Sequence, residues 1–243
     1  MPLGQPDPLS RQQHGETGKA VSRIDGPLKV RGAATFAAEV VVPDLTYAAV
    51  LFSTIAKGRI AEIETGEAEA APGVLTVMTY QNAPRMQPVP MFGAGPKAAG
   101  GDDRPIMQDD IVQWNGMPVA VVVAETQEQA DHAKTLIRVT YQQEQAVTAF
   151  AEAKGNGTLP AYFMGEQLHA DVNQPEEKLA AAPFKVDHDY VTPRHNHNAI
   201  EPHAATILWE GDNLRVHDAS QLVSHTAWSL SQVFGLKEDQ VRV

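Results

Sequence analysis

The stretch MPVAVVVAETQEQADHAKTLIRVTY, residues 117–141, changes its hydrophobic periodicity twice. Its first part, MPVAVVVAET (117–126), is a continuous valine-rich run, which is typical of a strand covered on both faces. The next part, TQEQADHAKTL (126–136), has apolar residues at helical spacing and Thr126 in the N-cap position. The last part, IRVTYQ (137–142), has the residues of a strand again. The stretch therefore predicts a strand–helix–strand unit whose first strand is central.

The residues before this unit predict further short elements of the same α+β domain. VVPDLTYAAVLFS (41–53) and GRIAEIET (58–65) are β-type runs, and we predict that they are two strands of one small sheet. GEAEAAPG (66–73) predicts one or two helical turns, and VLTVMTY (74–80) predicts another strand. Residues 84–108 are rich in proline and glycine, which predicts a long irregular excursion.

The segments on both sides of this domain differ from it in amino-acid composition and hydrophobic periodicity. Residues 1–22 have almost no large apolar side chains and predict a loose arm, and residues 146–183 predict a linker. Beyond the linker, the periodicities indicate three strands, a helix and a further strand, in the segments FKVDHDYVT (184–192), AATILWEG (204–211), NLRVHDAS (213–220), LVSHTAWSLSQVFG (222–235) and QVRV (240–243). Gly211-Asp212 predicts a hairpin. QVRV begins a strand without continuation, which leaves backbone groups unpaired, so we expect this domain to be either truncated or completed by another polypeptide.

The composition excludes several classes of function. The 243 residues include 19 basic and 30 acidic side chains, and a formal charge of −11 without a cluster of cations argues against nucleic acid as a partner. Cysteine is absent, which excludes disulfides, thiolate nucleophiles and Cys-ligated zinc or iron–sulfur clusters in this chain. No apolar run approaches the roughly 20 residues of a spanning helix, and the first twenty residues lack the apolar centre of a secretory signal. We therefore expect no membrane partner.

The most conspicuous group of chemically active side chains lies in HNHNAIEPHA (195–204), which holds His195, His197, Glu201 and His203. The i, i+2 spacing of the first two histidines is compatible with zinc, which raises the alternative of a His-based zinc hydrolase. Prolines on both sides oppose a helix, and the HExxH pattern is absent. Three interpretations stay open: a zinc site, polar groups hydrogen-bonded in a structured loop, and residues that line a redox cofactor or its access channel.

A second candidate is Gln221, which directly follows a β run and precedes a helix for which we predict Ser220 as the N-cap residue. Its side-chain amide can donate to an oxo ligand or a phosphate oxygen without adding charge; the alternative is a capping or solvated glutamine. The acidic pairs Asp102-Asp103 and Asp109-Asp110 lie in polar loops and are interpreted as solvated turn residues. The G-x-S-x-G, G-x-G-x-x-G and P-loop patterns are absent.

Taken in order, several segments resemble one family, the molybdenum-containing subunit of the xanthine dehydrogenase and aldehyde oxidase family, and in particular its bacterial periplasmic aldehyde oxidoreductases. The segments are RIDGPLKVRGAATFAAEV (23–40), AAVLFSTIAKGRIAEIET (48–65), APGVLTVMT (71–79), the stretch 117–141, YVTPRHNHNAIEPHAATILWEGDNLRVHDASQ (190–221) and FGLKEDQVRV (234–243). The resemblance implies an α+β fold, with an α/β hammerhead domain over 23–145 and the incomplete first part of a molybdopterin-binding domain over 184–243.

The resemblance also implies roles for individual residues. Gln221 matches the family glutamine that hydrogen-bonds the oxo ligand of molybdenum. Glu201 and His203 match a segment that lines the site, without an assigned chemical step. The glycine-rich loop and the general-base glutamate of the family are expected on polypeptide beyond this chain, so the resemblance implies no catalytic residue and no metal ligand here.

The activity implied by the resemblance is the oxidation of aldehydes to carboxylic acids with oxygen taken from water. The implied cofactor is molybdopterin with molybdenum, in its cytosine dinucleotide form, and electrons leave through iron–sulfur clusters and FAD on partner subunits. The other partners are the remainder of the molybdenum subunit and an aldehyde or heterocycle substrate. We expect the isolated chain to be inactive, in the cytoplasm or exported to the periplasm with a signal-bearing partner. The alternatives are a non-catalytic scaffold or assembly module and the zinc hydrolase.

Overall fold

The computed structural model describes residues 19–88, 104–157, 162–163, 166–167, 174–193 and 195–243. Its helices are α1 (Gly26–Val30), α2 (Gly66–Glu69), α3 (Gln127–Lys134), α4 (Phe150–Ala153), α5 (Pro175–Ala181) and α6 (Val223–Phe234). Its strands are β1 (Tyr47–Phe52), β2 (Gly58–Glu64), β3 (Val74–Thr79), β4 (Ile111–Val112), β5 (Pro118–Ala124), β6 (Arg138–Gln143), β7 (Tyr162–Phe163), β8 (Glu166–Gln167), β9 (Thr206–Glu210), β10 (Asn213–His217) and β11 (Val241–Arg242). Most of the predicted arm, residues 1–18, and the pair Asp102-Asp103 lie outside the described residues.

The core of the first unit is built around β5. This strand pairs antiparallel with β1 on one side and with β3 on the other, so the prediction of a central strand is confirmed. Val122 is fully buried between Ala49 of β1 and Val77 of β3. Buried alanines of α2 and α3, Ala68 and Ala133, pack against the same cluster. Small side chains on the helices let them approach the valine-rich sheet closely.

The prediction that residues 41–53 and 58–65 share one sheet is wrong. The strand β2 pairs with β4 and β6 in a second three-stranded sheet, whereas β1 pairs with β5. The reason lies in the connection after β1: the buried Ser53 accepts a hydrogen bond from the Met117 amide at 3.1 Å and donates to the Trp114 carbonyl at 2.9 Å. These contacts hold the end of β1 against β5. The strand β2 belongs to the second sheet, where Ile60 packs with Val112 of β4 and Val119 of β5.

The helix predicted after β5 is α3, and its N-cap residue is Thr126, as predicted. The Thr126 hydroxyl accepts from the Gln129 amide at 3.2 Å, and the Gln129 side chain accepts from the Thr126 amide at 3.0 Å. This reciprocal pair is a capping box, and it satisfies backbone donors that the first helical turn leaves free.

Replacing Thr126 by alanine is expected to lower the free energy of unfolding of the full chain by about 1 kcal/mol, because the Gln129 amide loses its acceptor. Thr126→Ser keeps the hydroxyl and should remain close to the wild type. Urea denaturation followed by circular dichroism measures both values. Equal midpoints for the alanine and serine variants would show that this cap does not stabilise the helix.

The second unit is a small sheet with the order β11-β10-β9. The hairpin predicted at Gly211-Asp212 is confirmed, since β9 and β10 pair antiparallel around it and Gly211 has a φ of +62°. The strands β10 and β11 are parallel, and α6 connects them across one face, where Ala227 and Leu230 pack on Leu214 and Val216. The arrangement is a βαβ unit.

The strand predicted over residues 184–192 is wrong, because the structure has no regular element there. The side chains of Phe184 and Tyr190 are 91% and 86% exposed. An extended run needs a neighbouring strand to satisfy its backbone groups, and none pairs with it within the described part of the chain. Across the described residues, no helix combines the length and apolar character that a bilayer crossing requires.

Candidate functional site

The site is built where the parallel strands β10 and β11 end. Arg215 lies opposite Arg242, so His217 and Val243 come to the same edge of the sheet. In α/β units, ligands bind at this carboxyl edge, beside the loop that leads into the helix. A cavity of about 370 Å³ opens there, and its lining comprises Val216, His217, Asp218, Ala219, Val243, Glu201, Thr35, Phe36, Ala37 and Val40.

Part of this lining comes from the first unit. Residues 35–40, here called the strap, precede β1 by several positions and lie against the end of β10. The backbone N–H of Ala37 donates to Oε1 of Glu201 at 3.2 Å, and the Thr206 hydroxyl donates to the Ala37 carbonyl at 2.8 Å. The pocket therefore has walls from both units.

The structure separates the residues that the sequence singled out. Glu201 is half-buried and lines the pocket. Gln221 is exposed in the loop between β10 and α6, two residues beyond the pocket residue Ala219. His203 is exposed and does not line the pocket, and His195 and His197 are exposed as well.

The zinc interpretation finds no support in this arrangement. Among the residues that the structure describes, no three His, Cys, Asp or Glu side chains come close enough together to hold a metal ion. A zinc site requires three or four such ligands about 2 Å from the metal. Glu201 instead uses its carboxylate to accept a backbone N–H.

Of the ten residues that line the pocket, only Glu201 was singled out from the sequence. The missed residues include His217 and Asp218. The sequence did contain a signal for His217 and Asp218, because both stand at the end of the β run that precedes Gln221. Side chains at the carboxyl ends of parallel strands project into ligand sites. The predicted cap residue was also wrong: the N-cap of α6 is Leu222. The Ser220 hydroxyl accepts from the Leu222 amide at 3.2 Å, which steadies the loop just before the helix.

The charges around the pocket are mixed. Glu201 and Asp218 contribute carboxylates to its lining. A second cavity of about 230 Å³ adjoins it through His217 and is bordered by Arg215 and Arg242. Arg215 also pairs with Glu210 at 2.9 Å. The region therefore presents carboxylate acceptors and guanidinium donors in two adjoining cavities.

Two carboxyl groups and one phenol group of the first unit have shifted pKa values, and none of the three lines the pocket. A hydrogen bond from Lys29 lowers the pKa of Asp25, and hydrogen bonds led by that from Lys134 lower the pKa of Asp131. Burial raises the pKa of Tyr141. Salt bridges on α1 and α3 explain the first two shifts, which therefore do not mark a catalytic group.

Fold and site together define a two-unit α+β protein, in which a βαβ unit offers its strand ends and the antiparallel unit contributes a wall to the same pocket. Residues 31–145 match the model of the aldehyde oxidase and xanthine dehydrogenase a/b hammerhead domain, and residues 159–243 match that of the molybdopterin cofactor-binding domain. The chain therefore belongs to the xanthine dehydrogenase and aldehyde oxidase family, and the α+β fold that the sequence resemblance predicted is confirmed.

Similar proteins of this family are longer than this chain. It is 30% identical over 228 residues to the aldehyde oxidoreductase molybdenum-binding subunit PaoC of Escherichia coli K12, covering 93% of this chain and 29% of that protein. It is 29% identical over 232 residues to the nicotinate dehydrogenase large molybdopterin subunit of Eubacterium barkeri, covering 93% of this chain and 52% of that protein. The chain thus spans less than a third of the first relative.

Solved structures share the fold. Quinoline 2-oxidoreductase from Pseudomonas putida 86 superimposes with a TM-score of 0.73 at 22% identity, over 91% of this chain and 29% of that chain. Aldehyde oxidoreductase from Desulfovibrio gigas superimposes with a TM-score of 0.74 at 24% identity, over 90% of this chain and 25% of that chain.

Proposed function

We propose that this chain is the part of a molybdenum hydroxylase that holds one side of the cofactor in an aldehyde oxidoreductase. The observation that carries the proposal is the pocket at the carboxyl ends of β10 and β11, inside the region that matches a molybdopterin-binding domain. The similarity to an aldehyde oxidoreductase subunit supports the aldehyde as substrate. Heterocycles are the second substrate class, supported by a relative named for nicotinate.

The residues present fit molybdopterin. This cofactor is a polar heterocycle with a phosphate, and it brings its own sulfur ligands, so a chain without cysteine can hold it. Glu201 and Asp218 offer acceptors for ring N–H groups, and Arg215 and Arg242 offer donors to an anion. When bound, the cofactor supplies two-electron oxidation of a carbon centre with oxygen from water. Gln221, in the loop beside the pocket, would donate a hydrogen bond to the cofactor's oxo group.

The proposal extends to the assembly. The general-base glutamate is assigned to polypeptide beyond this chain, together with the remainder of the molybdenum subunit. Iron–sulfur and FAD subunits accept the electrons, and the pterin is in its cytosine dinucleotide form. The domain boundaries that we propose are an arm over 1–22, the hammerhead domain over 23–145, a linker over 146–183 and the cofactor-binding part over 184–243. The location is the cytoplasm, or the periplasm after export with a signal-bearing partner.

A second candidate is a non-catalytic assembly module of the same kind of complex. It is favoured by the exposed apolar side chains of residues 184–200, among them Phe184, Tyr190 and Ile200. Exposed apolar surface of this kind marks a place for a partner. Native mass spectrometry of the assembly that contains this chain distinguishes the two candidates. A molybdopterin-sized ligand with stoichiometric molybdenum supports the hydroxylase, and an assembly without either supports the module.

The role of Gln221 has its own test in the complete enzyme. Gln221→Ala is expected to lower kcat by roughly 10- to 100-fold, or to lower the molybdenum content, because a hydrogen bond to a charged oxygen contributes about 1–3 kcal/mol. Gln143→Ala, at an exposed position of β6, is the control and should leave both values unchanged. Unchanged kcat and metal content in Gln221→Ala would remove the role.

A further inference from the structure

The strap is the part of the pocket that neither the family models nor the relatives' names assign a role. It belongs in sequence to the first unit, yet Thr35, Phe36, Ala37 and Val40 line the cavity at the end of β10. Phe36 is 43% exposed, so its ring is available to a ligand in the cavity. What keeps this segment in place therefore decides the shape of the pocket.

Two side chains of the second unit hold the strap at a single residue. Glu201 accepts from the Ala37 N–H, and Thr206 donates to the Ala37 carbonyl. Both partners lie more than 160 positions further along the chain. Because one residue is held at its donor and at its acceptor, both the position and the orientation of its backbone are fixed. Thr206 is only 6% exposed, so water competes poorly for its hydrogen bond.

The strap is also stiff within itself. Residues Ala37–Glu39 form one turn of 3-10 helix. The Phe36 N–H donates to the Glu39 carboxylate at 2.7 Å, and the Glu39 N–H donates to the Phe36 carbonyl at 3.0 Å. A segment that is closed on itself in this way moves as one body. Fixing Ala37 therefore also fixes where Phe36 meets the cavity.

We infer that the strap is a wall of the cofactor pocket and that Glu201 and Thr206 are positioning residues that hold it there through Ala37. This inference rests on the proposed function, since the ligand of the pocket is the molybdopterin named above. Glu201 thereby acts on the ligand through the backbone of another unit, in addition to lining the cavity. The strap contributes the apolar surface of Phe36 to a pocket whose polar lining includes Glu201 and Asp218.

The test uses the assembled protein that contains this chain, in the variants Thr206→Val and Glu201→Ala, with Thr206→Ser and Glu201→Gln as conservative partners. Hydrogen–deuterium exchange at residues 35–40 reports whether the strap is held. We expect about tenfold faster exchange at the Ala37 amide in Thr206→Val and Glu201→Ala, because each removes one of its two anchors. Serine keeps the hydroxyl and glutamine keeps an acceptor oxygen, so both should restore slow exchange. Unchanged exchange in α3 serves as the control for folding.

Molybdopterin retained after gel filtration, measured by the fluorescence of the released pterin, provides the second measurement. The inference predicts that the two disruptive variants retain several-fold less and that their conservative partners retain wild-type amounts. Faster amide exchange at residues 35–40 together with full molybdopterin retention would show that the strap is not a wall of the cofactor pocket. Wild-type exchange in both disruptive variants would overturn Glu201 and Thr206 as its anchors. Wild-type protein without any molybdopterin would instead overturn the proposed function, and the exchange rates would still decide on the anchors.

Discussion

Replacing Val122 by aspartate is expected to remove about 4 kcal/mol or more from the free energy of unfolding of the first unit. Val122 is fully buried in the central strand β5, between Ala49 and Val77. A carboxylate there would have no partner, and an unpaired buried charge is among the most destabilising changes known. A loss of this size is a large share of the total stability of an ordinary domain. Urea denaturation of the full chain, followed by circular dichroism, measures it.

The matched control is Leu75→Asp on the neighbouring strand β3. Leu75 is 54% exposed, so its replacement carboxylate stays in water and the loss should be below about 1 kcal/mol. Similar losses in the two variants would show that Val122 does not lie in the core that the structure describes.

Gly58→Ala is expected to lower the free energy of unfolding by about 3 kcal/mol. Gly58 begins β2 with a φ of +148°, a backbone conformation that costs residues with a side chain about 1–3 kcal/mol. An added Cβ would also collide with the Gln142 carbonyl oxygen and lie 2.9 Å from Cδ1 of Ile55. The Gln142 oxygen belongs to the backbone of β6, so relief requires a shift of the strand and adds a further cost.

Gly66→Ala separates this steric effect from the general effect of adding a methyl group. At Gly66, the first residue of α2, an added Cβ meets no described atom within 4 Å. Alanine is also the better helix former, so this variant should match or slightly exceed the wild-type stability. If Gly58→Ala behaved like Gly66→Ala in the same urea titration, the close approach of β2 and β6 would be wrong.

These two positions matter for the site because the first unit supplies the strap. The strap can form a defined wall only if the sheets behind it keep their positions. A variant of Val122 that loosens the first unit should therefore also weaken the cofactor pocket, although Val122 itself lies in the core of that unit. We therefore predict that stability and cofactor retention are coupled through the backbone of residues 35–40.

Local periodicity predicted the elements whose partners are near in sequence or whose burial is complete. The valine run of β5, the capped helix α3 and the hairpin between β9 and β10 all follow from patterns within a few residues. Residues 184–192 show the limit of this information. Their alternation is typical of a strand, but a strand exists only where a second backbone pairs with it.

Contacts between residues distant in sequence determined the assignment of strands to sheets and the composition of the pocket. Local patterns and motif order were sufficient to predict the family resemblance and the central strand, and to select Glu201 and Gln221 as candidates. Only the tertiary structure assigned β1 and β2 to different sheets, brought His217 and Asp218 to the pocket, and joined Ala37 to Glu201 and Thr206. The physical reason is that periodicity records which face of an element is buried, whereas the identity of the partner depends on how distant segments pack.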